Sequence, residues 1–265
     1  MLLNISHTTH YTYDEPVHYA LQKARLRPLS DGQQTVLDWS LAISGGEVEA
    51  SYLDHYGNQT DLVRAIEGTQ SLEITASGTV ETIDTAGVIG KVYGAAPLWH
   101  FQQQTSLTEP SEEIHALARL IKDPSDPLVD LHALSTAILE AAPYTVGRTY
   151  TDTTAQQALA GGHGVCQDHA HIFISAARAA GLPARYVSGY LMMVDRIDQD
   201  ASHAWAEVHV DSIGWVGFDV SNRISPDEHY VKIATGNDAR DAAPITGLRV
   251  GTAEESMIVS LQVQQ

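Results

Sequence analysis

Hydrophobic and polar residues alternate along the first third of the chain, up to about Tyr93. Short alternating runs at residues 11–13, 37–41 and 71–74 are separated by turn-forming residues. Alternation with a period of two puts the apolar side chains on one face of a strand. This part of the chain is therefore predicted to form antiparallel β structure.

Residues 94–110 keep neither the strand period nor the helix period. This stretch is rich in Gly, Ala and Pro and contains three consecutive glutamines. We interpret it as a domain boundary. The sequence then predicts an N-terminal β-rich domain over 1–95 and a second domain over 96–265.

The second domain begins with helical spacing. Apolar residues recur at helical intervals up to Ile121, and Ser111 is placed as the N-cap of this first helix. A second helix is predicted over 127–141. A third is predicted to begin at Cys166 and to end at 181–183, where glycine caps a helix and proline stops it.

Strand-like runs return after the third helix. They cover 185–193, 203–210 and 215–220, and a further run at 257–263 is typical of a last strand. Helices thus precede strands instead of alternating with them. The pattern predicts an α+β fold, in which an antiparallel β domain is followed by helices packed on an antiparallel sheet.

The charge narrows the choice of partners. The formal net charge is −18 and the pI is near 4.9, whereas nucleic acids and anionic membranes are bound by clustered Lys and Arg. No run approaches the roughly 20 apolar residues of a membrane span, and the first residues lack the basic start of a signal peptide. We expect a cytoplasmic protein that binds neither nucleic acid nor membrane.

The chain contains one cysteine and thirteen histidines. A single cysteine excludes an intramolecular disulfide and disfavours a cysteine-based zinc site. The histidines do not combine with acidic residues at the spacing of metal ligands, so neither a metal nor another cofactor is expected. A lone cysteine is either a small core residue or a reactive group.

The position of Cys166 favours reactivity. It follows the glycine-rich segment 161–164 and opens the third helix. A helix N-terminus carries a partial positive charge and unpaired N–H groups, which stabilise a thiolate. N–H groups in such a loop can also bind the oxyanion that forms when a carbonyl is attacked. Cys166 is therefore a candidate nucleophile.

Two strands supply partners for this cysteine. His203 opens the run 203–210 on its non-aliphatic face, and Asp219 lies among apolar residues in the run 215–220. A carboxylate in such surroundings requires a partner. In a hairpin Asp219 can accept from one ring nitrogen of His203 while the other faces Cys166. A regular four-residue connection would put the two on opposite faces, so an odd-length connection or bulge is predicted, with Gly214 at positive φ.

These segments together resemble a known family. Residues 164–171 (GVCQDHAH), 181–190 (GLPARYVSGY), 203–208 (HAWAEV) and 214–219 (GWVGFD) are similar, in this order, to the core of bacterial transglutaminase-like proteins, and the N-terminal part resembles the domain that usually precedes it. The resemblance implies a papain-like fold with Cys166 as nucleophile, His203 as base and Asp219 as its orienting partner. One departure is Asp-Val-Ser-Asn at 219–222, where the family often has Asp-Pro-Thr-Asn.

The expected reaction is attack of the Cys166 thiolate on a peptide, protein or other amide, through a thioester. Hydrolysis is favoured over transfer to an amine, because no residue pattern marks an amine site. A non-catalytic binding or scaffold protein of this fold is the alternative from a different class. The sequence does not decide the oligomeric state.

Several neighbours of Cys166 have open roles. Gln167, Val165 and Trp205 are candidates for substrate or oxyanion contacts, and Trp205 is equally expected to pack. Asp168 is expected either to pair with His171 or to bind loop N–H groups. Three further histidines are expected to be surface or packing residues rather than second bases: His163, His169 and His209.

Overall fold

The structure is a computed structural model that describes residues 1–91, 95–193, 197–199 and 201–265. Its strands, in chain order, are β1 Leu2–Tyr13, β2 Tyr19–Arg27, β3 Gln34–Ser44, β4 Gly46–Leu53, β5 Gln59–Ala65, β6 Ser71–Thr82, β7 Val88–Gly90, β8 Ala184–Leu191, β9 Asp198–Gln199, β10 His203–Val210, β11 Gly214–Phe218, β12 Tyr230–Gly236, β13 Ile245–Val250 and β14 Glu255–Gln264. Its α-helices are α1 Glu112–Ala118, α2 Leu128–Ala141, α3 Ala155–Gly161, α4 Cys166–Ala179 and α5 Ala239–Ala242, with a 3₁₀ helix at Leu98–Gln102.

Two antiparallel sheets form the N-terminal part. The first has the order β3-β6-β1-β14-β9 and the second the order β13-β2-β5-β4. Every second residue of β1 is buried, as its alternating pattern predicts. The apolar sides of both sheets meet in one hydrophobic core, which includes Leu3, Leu26 and Ile74.

The last two strands belong to these N-terminal sheets. β14 pairs with β1 from Asn4–Gln264 to Tyr13–Glu255, and β13 pairs with β2. The strand predicted at 257–263 is therefore confirmed, with a partner far away along the chain. The domain boundary at residue 95 stays a prediction. The stretch 94–110, from which it was inferred, begins at Gly94, which lies outside the described residues.

A third antiparallel sheet, with the order β12-β8-β10-β11-β7, carries α4 on one face. Ala204, Ala206 and Val208 of β10 and Phe173 of α4 share one core with α1 and α2. The small side chains let the helix lie close to the strand. The predicted α+β class, with helices packed on an antiparallel sheet, is confirmed.

Most predicted elements of this part are present, with shifted ends. The N-cap at Ser111 is confirmed, because its side chain accepts a hydrogen bond from the Ile114 amide. The first helix ends at Ala118 rather than Ile121, since the chain tightens there into a turn. No helix of the described ranges is long and apolar enough to cross a membrane.

Candidate active site

Cys166 is the first residue of α4, a helix of 14 residues, and its side chain is half-buried. The loop before it is held by Asp168, whose Oδ2 accepts hydrogen bonds from the Val165 amide at 2.8 Å and the Thr149 hydroxyl at 2.7 Å. Gly164 permits this approach, since a Cβ there would lie 2.8 Å from the Asp168 Cβ. The thiol thus lies at the N-terminus of α4, and the preceding loop is fixed there by its hydrogen bonds to Asp168.

The strands β10 and β11 form the expected odd-length hairpin. Val210 pairs with Gly214, so the connection has three residues, 211–213, and Gly214 has φ +101°. In this register His203 and Asp219 lie on the same face of the sheet. The Nε2 atom of His203 is 2.6 Å from Oδ2 of Asp219. The predicted connection and the predicted positive φ are both confirmed.

Asp219 has further donors that the sequence did not identify. The Tyr230 hydroxyl donates to its Oδ2 at 2.7 Å, and so does the Asn222 side-chain amide at 2.7 Å. Asn222 also donates its backbone N–H to Oδ1 at 3.2 Å. The spacing of Asn222, three residues after Asp219, is a usable turn signal. Tyr230 has no such signal, because β12 reaches the site only through the sheet.

The charges of this group follow from its contacts. Burial acts to lower the pKa of His203, but the hydrogen bonds to Asp219 and to Cys166, with the charges of both, raise it to about 10. Burial acts to raise the pKa of Asp219, yet the hydrogen bond and charge of His203, helped by Asn222 and Tyr230, hold it below its ordinary value. The two side chains are therefore an imidazolium and a carboxylate at neutral pH.

Cys166 and His203 open onto one cavity of about 420 Å³. Since Nε2 of His203 is bonded to Asp219, Nδ1 is the ring nitrogen left for Cys166. The far side of the cavity comes from the N-terminal sheets and the chain end, with Thr9 of β1 and Val259 of β14 in its lining. The nucleophile and its partner thus face a wall built by a different part of the fold.

The remaining candidates occupy different positions around this cavity. Val165 and Gln167 line it, but the Val165 amide already donates to Asp168, and the Gln167 side-chain amide donates to the Thr151 carbonyl at 3.1 Å. Trp205 is 3% exposed and packs against the rings of His203 and Tyr230. It is therefore a packing residue beneath the site rather than part of the cavity lining.

Two histidines of α4 are buried: His169, for which a packing or surface position was predicted, and His171, for which a pair with Asp168 was one of two alternatives. His169 is hydrogen bonded at Nδ1 to Ser221 and at Nε2 to the Ala142 carbonyl. His171 accepts a hydrogen bond from the Ala239 amide at Nε2, so the proposed pair with Asp168 is replaced by the loop contact of Asp168. Both imidazoles connect the helix to neighbouring segments, and burial lowers the pKa of each.

The other two histidines with a predicted packing or surface role, His163 and His209, also have such positions. His163 is partly exposed, and His209 packs edge-on against Trp215. One cluster in the described part of the chain has metal-ligating atoms within 4.8 Å of one another, namely Asp227, Glu228 and His229. Nδ1 of His229 is already 2.9 Å from Asp227, and the cluster is not part of the cavity lining.

Two protein-family models match the chain. The model of the transglutaminase-like superfamily matches residues 115–220, and that of the bacterial transglutaminase-like N-terminal region matches residues 3–81. The first range contains Cys166, His203 and Asp219. The second covers most of the N-terminal sheets, including the strand β1 that lines the cavity.

Individual proteins are similar over almost the whole chain. A Mycobacterium leprae protein of uncharacterised function is 26% identical over 274 residues, covering 98% of both chains. A Mycobacterium bovis protein, also uncharacterised, is 29% identical, covering 98% of this chain and 91% of its own. A crystal structure of a candidate cysteine protease from Cytophaga hutchinsonii has a TM-score of 0.77 and 25% identity, and the match covers 100% of this chain and 91% of that one.

Proposed function

Because the chain belongs to the transglutaminase-like superfamily, we propose that it is a cysteine-nucleophile enzyme that hydrolyses amide bonds in peptides or proteins. The observation that carries the proposal is the arrangement of Cys166, His203 and Asp219. His203 is fixed by Asp219 at 2.6 Å through one ring nitrogen, and its other nitrogen is left for Cys166 in a shared cavity. The similarity to a candidate cysteine protease over the full chain supports it.

The first half of the reaction forms a thioester. The Cys166 thiolate attacks the carbonyl carbon, and the carbonyl electrons move onto oxygen. When this intermediate collapses, the C–N bond breaks and the leaving nitrogen takes a proton from the His203 imidazolium. Asp219 keeps the ring oriented and stabilises its positive charge while the proton is held.

The developing oxyanion requires donors close to Cys166. The first N–H groups of a helix have no partner inside it, and those of Cys166 and Gln167 are the first two of α4. The Val165 N–H is bound to Asp168, so it is not one of these donors. We assign the oxyanion role to the helix N–H groups, and the Gln167 side chain keeps the Thr151 contact.

The second half of the reaction releases the acyl group. His203, now neutral, takes a proton from water as the water oxygen attacks the thioester carbon, and Cys166 leaves as a thiolate. An amine in place of water would form a new amide by the same steps. Water is the acceptor in our proposal, and amide ligation to an added primary amine is the outcome that would reassign the enzyme to transglutaminase or ligase activity.

The test is the rate at which iodoacetamide alkylates native Cys166, followed by mass spectrometry between pH 5 and 9. We expect fast labelling at pH 6–7 in the wild type, at least about tenfold slower labelling in His203→Ala, and none in Cys166→Ala. Trp205→Phe is a packing control that retains His203. Slow labelling that is indifferent to His203 would establish a packing thiol and a non-catalytic binding protein of this fold.

The cytoplasmic location predicted from the sequence stays a prediction. Cell fractionation with a tagged full-length chain checks it. Recovery in a cell-envelope or secreted fraction would replace it, and would direct the substrate search to proteins of that compartment.

A further inference from the structure

The buried face of β1 changes character opposite Cys166. Its buried positions carry Leu3, Ile5, Tyr11 and Tyr13, but the two central ones carry His7 and Thr9, each 2% exposed. Polar groups at buried strand positions cost stability unless they are hydrogen bonded. Both central residues line the cavity that Cys166 and His203 share. The polar pair thus lies where the strand meets the candidate active site.

Tyr190, His7 and Thr9 form a chain of hydrogen bonds. The Tyr190 hydroxyl is 2.9 Å from Nδ1 of His7, and the Thr9 hydroxyl is 3.3 Å from Nε2. Tyr190 is fully buried behind the cavity wall, and its ring meets that of His7 edge-on at 5.6 Å. Tyr190 therefore fixes the His7 imidazole from the protein interior, and the Thr9 hydroxyl ends this series of hydrogen bonds on the cavity side.

The chain of hydrogen bonds can run in either direction. If Tyr190 donates to His7, then His7 donates to Thr9 and the Thr9 proton is free for a ligand acceptor. If Thr9 donates to His7, the Thr9 oxygen offers its lone pairs to a ligand donor. A single histidine tautomer change switches between the two. The wall can consequently match a ligand group that donates, accepts or does both.

This wall carries no charge at neutral pH. Burial lowers the pKa of His7 to about 4, so its imidazole is neutral. Among the described residues, no Asp, Glu, Lys or Arg lines the cavity, although the protein has 33 acidic and 15 basic residues. The His203 imidazolium in the same lining is already paired with Asp219, so a charged ligand group facing the wall would lose its hydration without gaining a counter-ion.

We propose that the Tyr190–His7–Thr9 chain is the specificity-determining wall of the cavity, and that it binds an uncharged hydrogen-bonding group of the substrate, such as an amide or hydroxyl. The inference rests on the proposed function, because it assigns the substrate class of the same site. The lining has further polar residues, but Ile245, Met257 and Val259 are apolar and accommodate the hydrocarbon part of that substrate.

The experiment uses vinyl sulfone probes that label Cys166 and differ in one side chain. Asparagine, aspartate and leucine side chains have nearly the same shape, but they end in an uncharged amide, a charged carboxylate and two methyl groups, respectively. The second-order labelling rate of each probe is measured by intact mass on the full chain. Iodoacetamide is measured in parallel, because it reports the reactivity of Cys166 without needing the wall.

We expect the asparagine probe to label at least about tenfold faster than the aspartate probe. Thr9→Val, which removes the terminal hydroxyl, is expected to slow the asparagine probe about five- to tenfold and the leucine probe less than twofold. Tyr190→Phe, which removes the hydroxyl that bonds to His7, is also expected to slow the asparagine probe more than the leucine probe. Thr8→Val is the matched control, since Thr8 bonds to Thr75 on the other face of β1.

The two proposals fail in distinguishable ways. Iodoacetamide labelling that is slow and indifferent to His203 contradicts the enzyme proposal. If iodoacetamide labels Cys166 rapidly but the three probes react at equal rates, or if Thr9→Val has no more effect than Thr8→Val, the specificity wall is wrong. Failure of all three probes on an iodoacetamide-reactive Cys166 also overturns it.

Discussion

One oxygen of Asp219 receives hydrogen bonds from His203, Asn222 and Tyr230 at 2.6–2.7 Å. A buried carboxylate is stable only when its charge is compensated, and these donors stabilise the charged form. The same carboxylate is the main reason that the pKa of His203 rises to about 10 against the effect of burial. The charge state of one residue therefore depends on the other.

This dependence predicts the effect of pH on stability. A raised pKa of His203 means that the native state binds its proton more tightly than the unfolded state does. The resulting stabilisation is complete below the ordinary value of 6.5 and is lost as the pH rises towards about 10. In Asp219→Asn the pKa of His203 falls, so less stability should be lost over this range.

Urea unfolding at intervals between pH 6 and pH 10 measures this difference. The free energy of unfolding should decrease with pH more steeply in the wild type than in Asp219→Asn. The same variant should lower any amide hydrolysis by about 10³–10⁴-fold, because the ring loses its orienting partner. Parallel stability curves for the two proteins would show that Asp219 does not control the proton on His203.

The elements around the site show what local sequence can predict. The start of α4 at Cys166, the strand β10 and the odd-length connection before Gly214 follow from spacing, helix-end residues and parity. Each is decided within a few residues of chain. The helix α3 escaped prediction, although Thr154 and Gln157 form a reciprocal capping box there, because Leu159 is its one large apolar residue and a single residue shows no hydrophobic period.

Gly214 is an element-scale test of the hairpin. It has φ +101°, and a Cβ at this position would lie 2.2 Å from the carbonyl carbon of Gly90 in the neighbouring β7. Gly214→Ala should therefore destabilise the protein by about 2–4 kcal/mol through backbone strain and displacement of β7. The expected result is a lower urea midpoint together with slower alkylation of Cys166.

Gly147→Ala is the matched control for this substitution. Gly147 also has positive φ, +74°, but a Cβ there would meet no atom within 4 Å. Only the conformational cost of about 1 kcal/mol is then expected. Equal destabilisation by the two alanines would mean that the contact with β7 contributes nothing, and that backbone conformation alone requires glycine at 214.

At the scale of the molecule, the fold joins segments that are distant in sequence. The cavity has Cys166 from α4, His203 from β10, Thr9 from β1 and Val259 from β14 in its lining. The resemblance to the family identified Cys166, His203 and Asp219 from the sequence. It could not identify Thr9, Tyr230 or the pairing of β14 with β1, because non-local strand pairing leaves no trace in local spacing.

The last strand is therefore expected to be a structural part of the N-terminal sheets. Leu261 of β14 is fully buried in their core, whereas Ile258, three residues earlier, is 68% exposed. Leu261→Ala should lower the free energy of unfolding by about 2–5 kcal/mol through lost burial and the cavity left behind. Ile258→Ala should change it by no more than about 0.5 kcal/mol, because a surface substitution removes little contact. Urea unfolding of both variants measures these two changes in free energy. A small effect of Leu261→Ala would mean that the N-terminal core is stable without the packing of β14. The main role of β14 would then be to close the cavity.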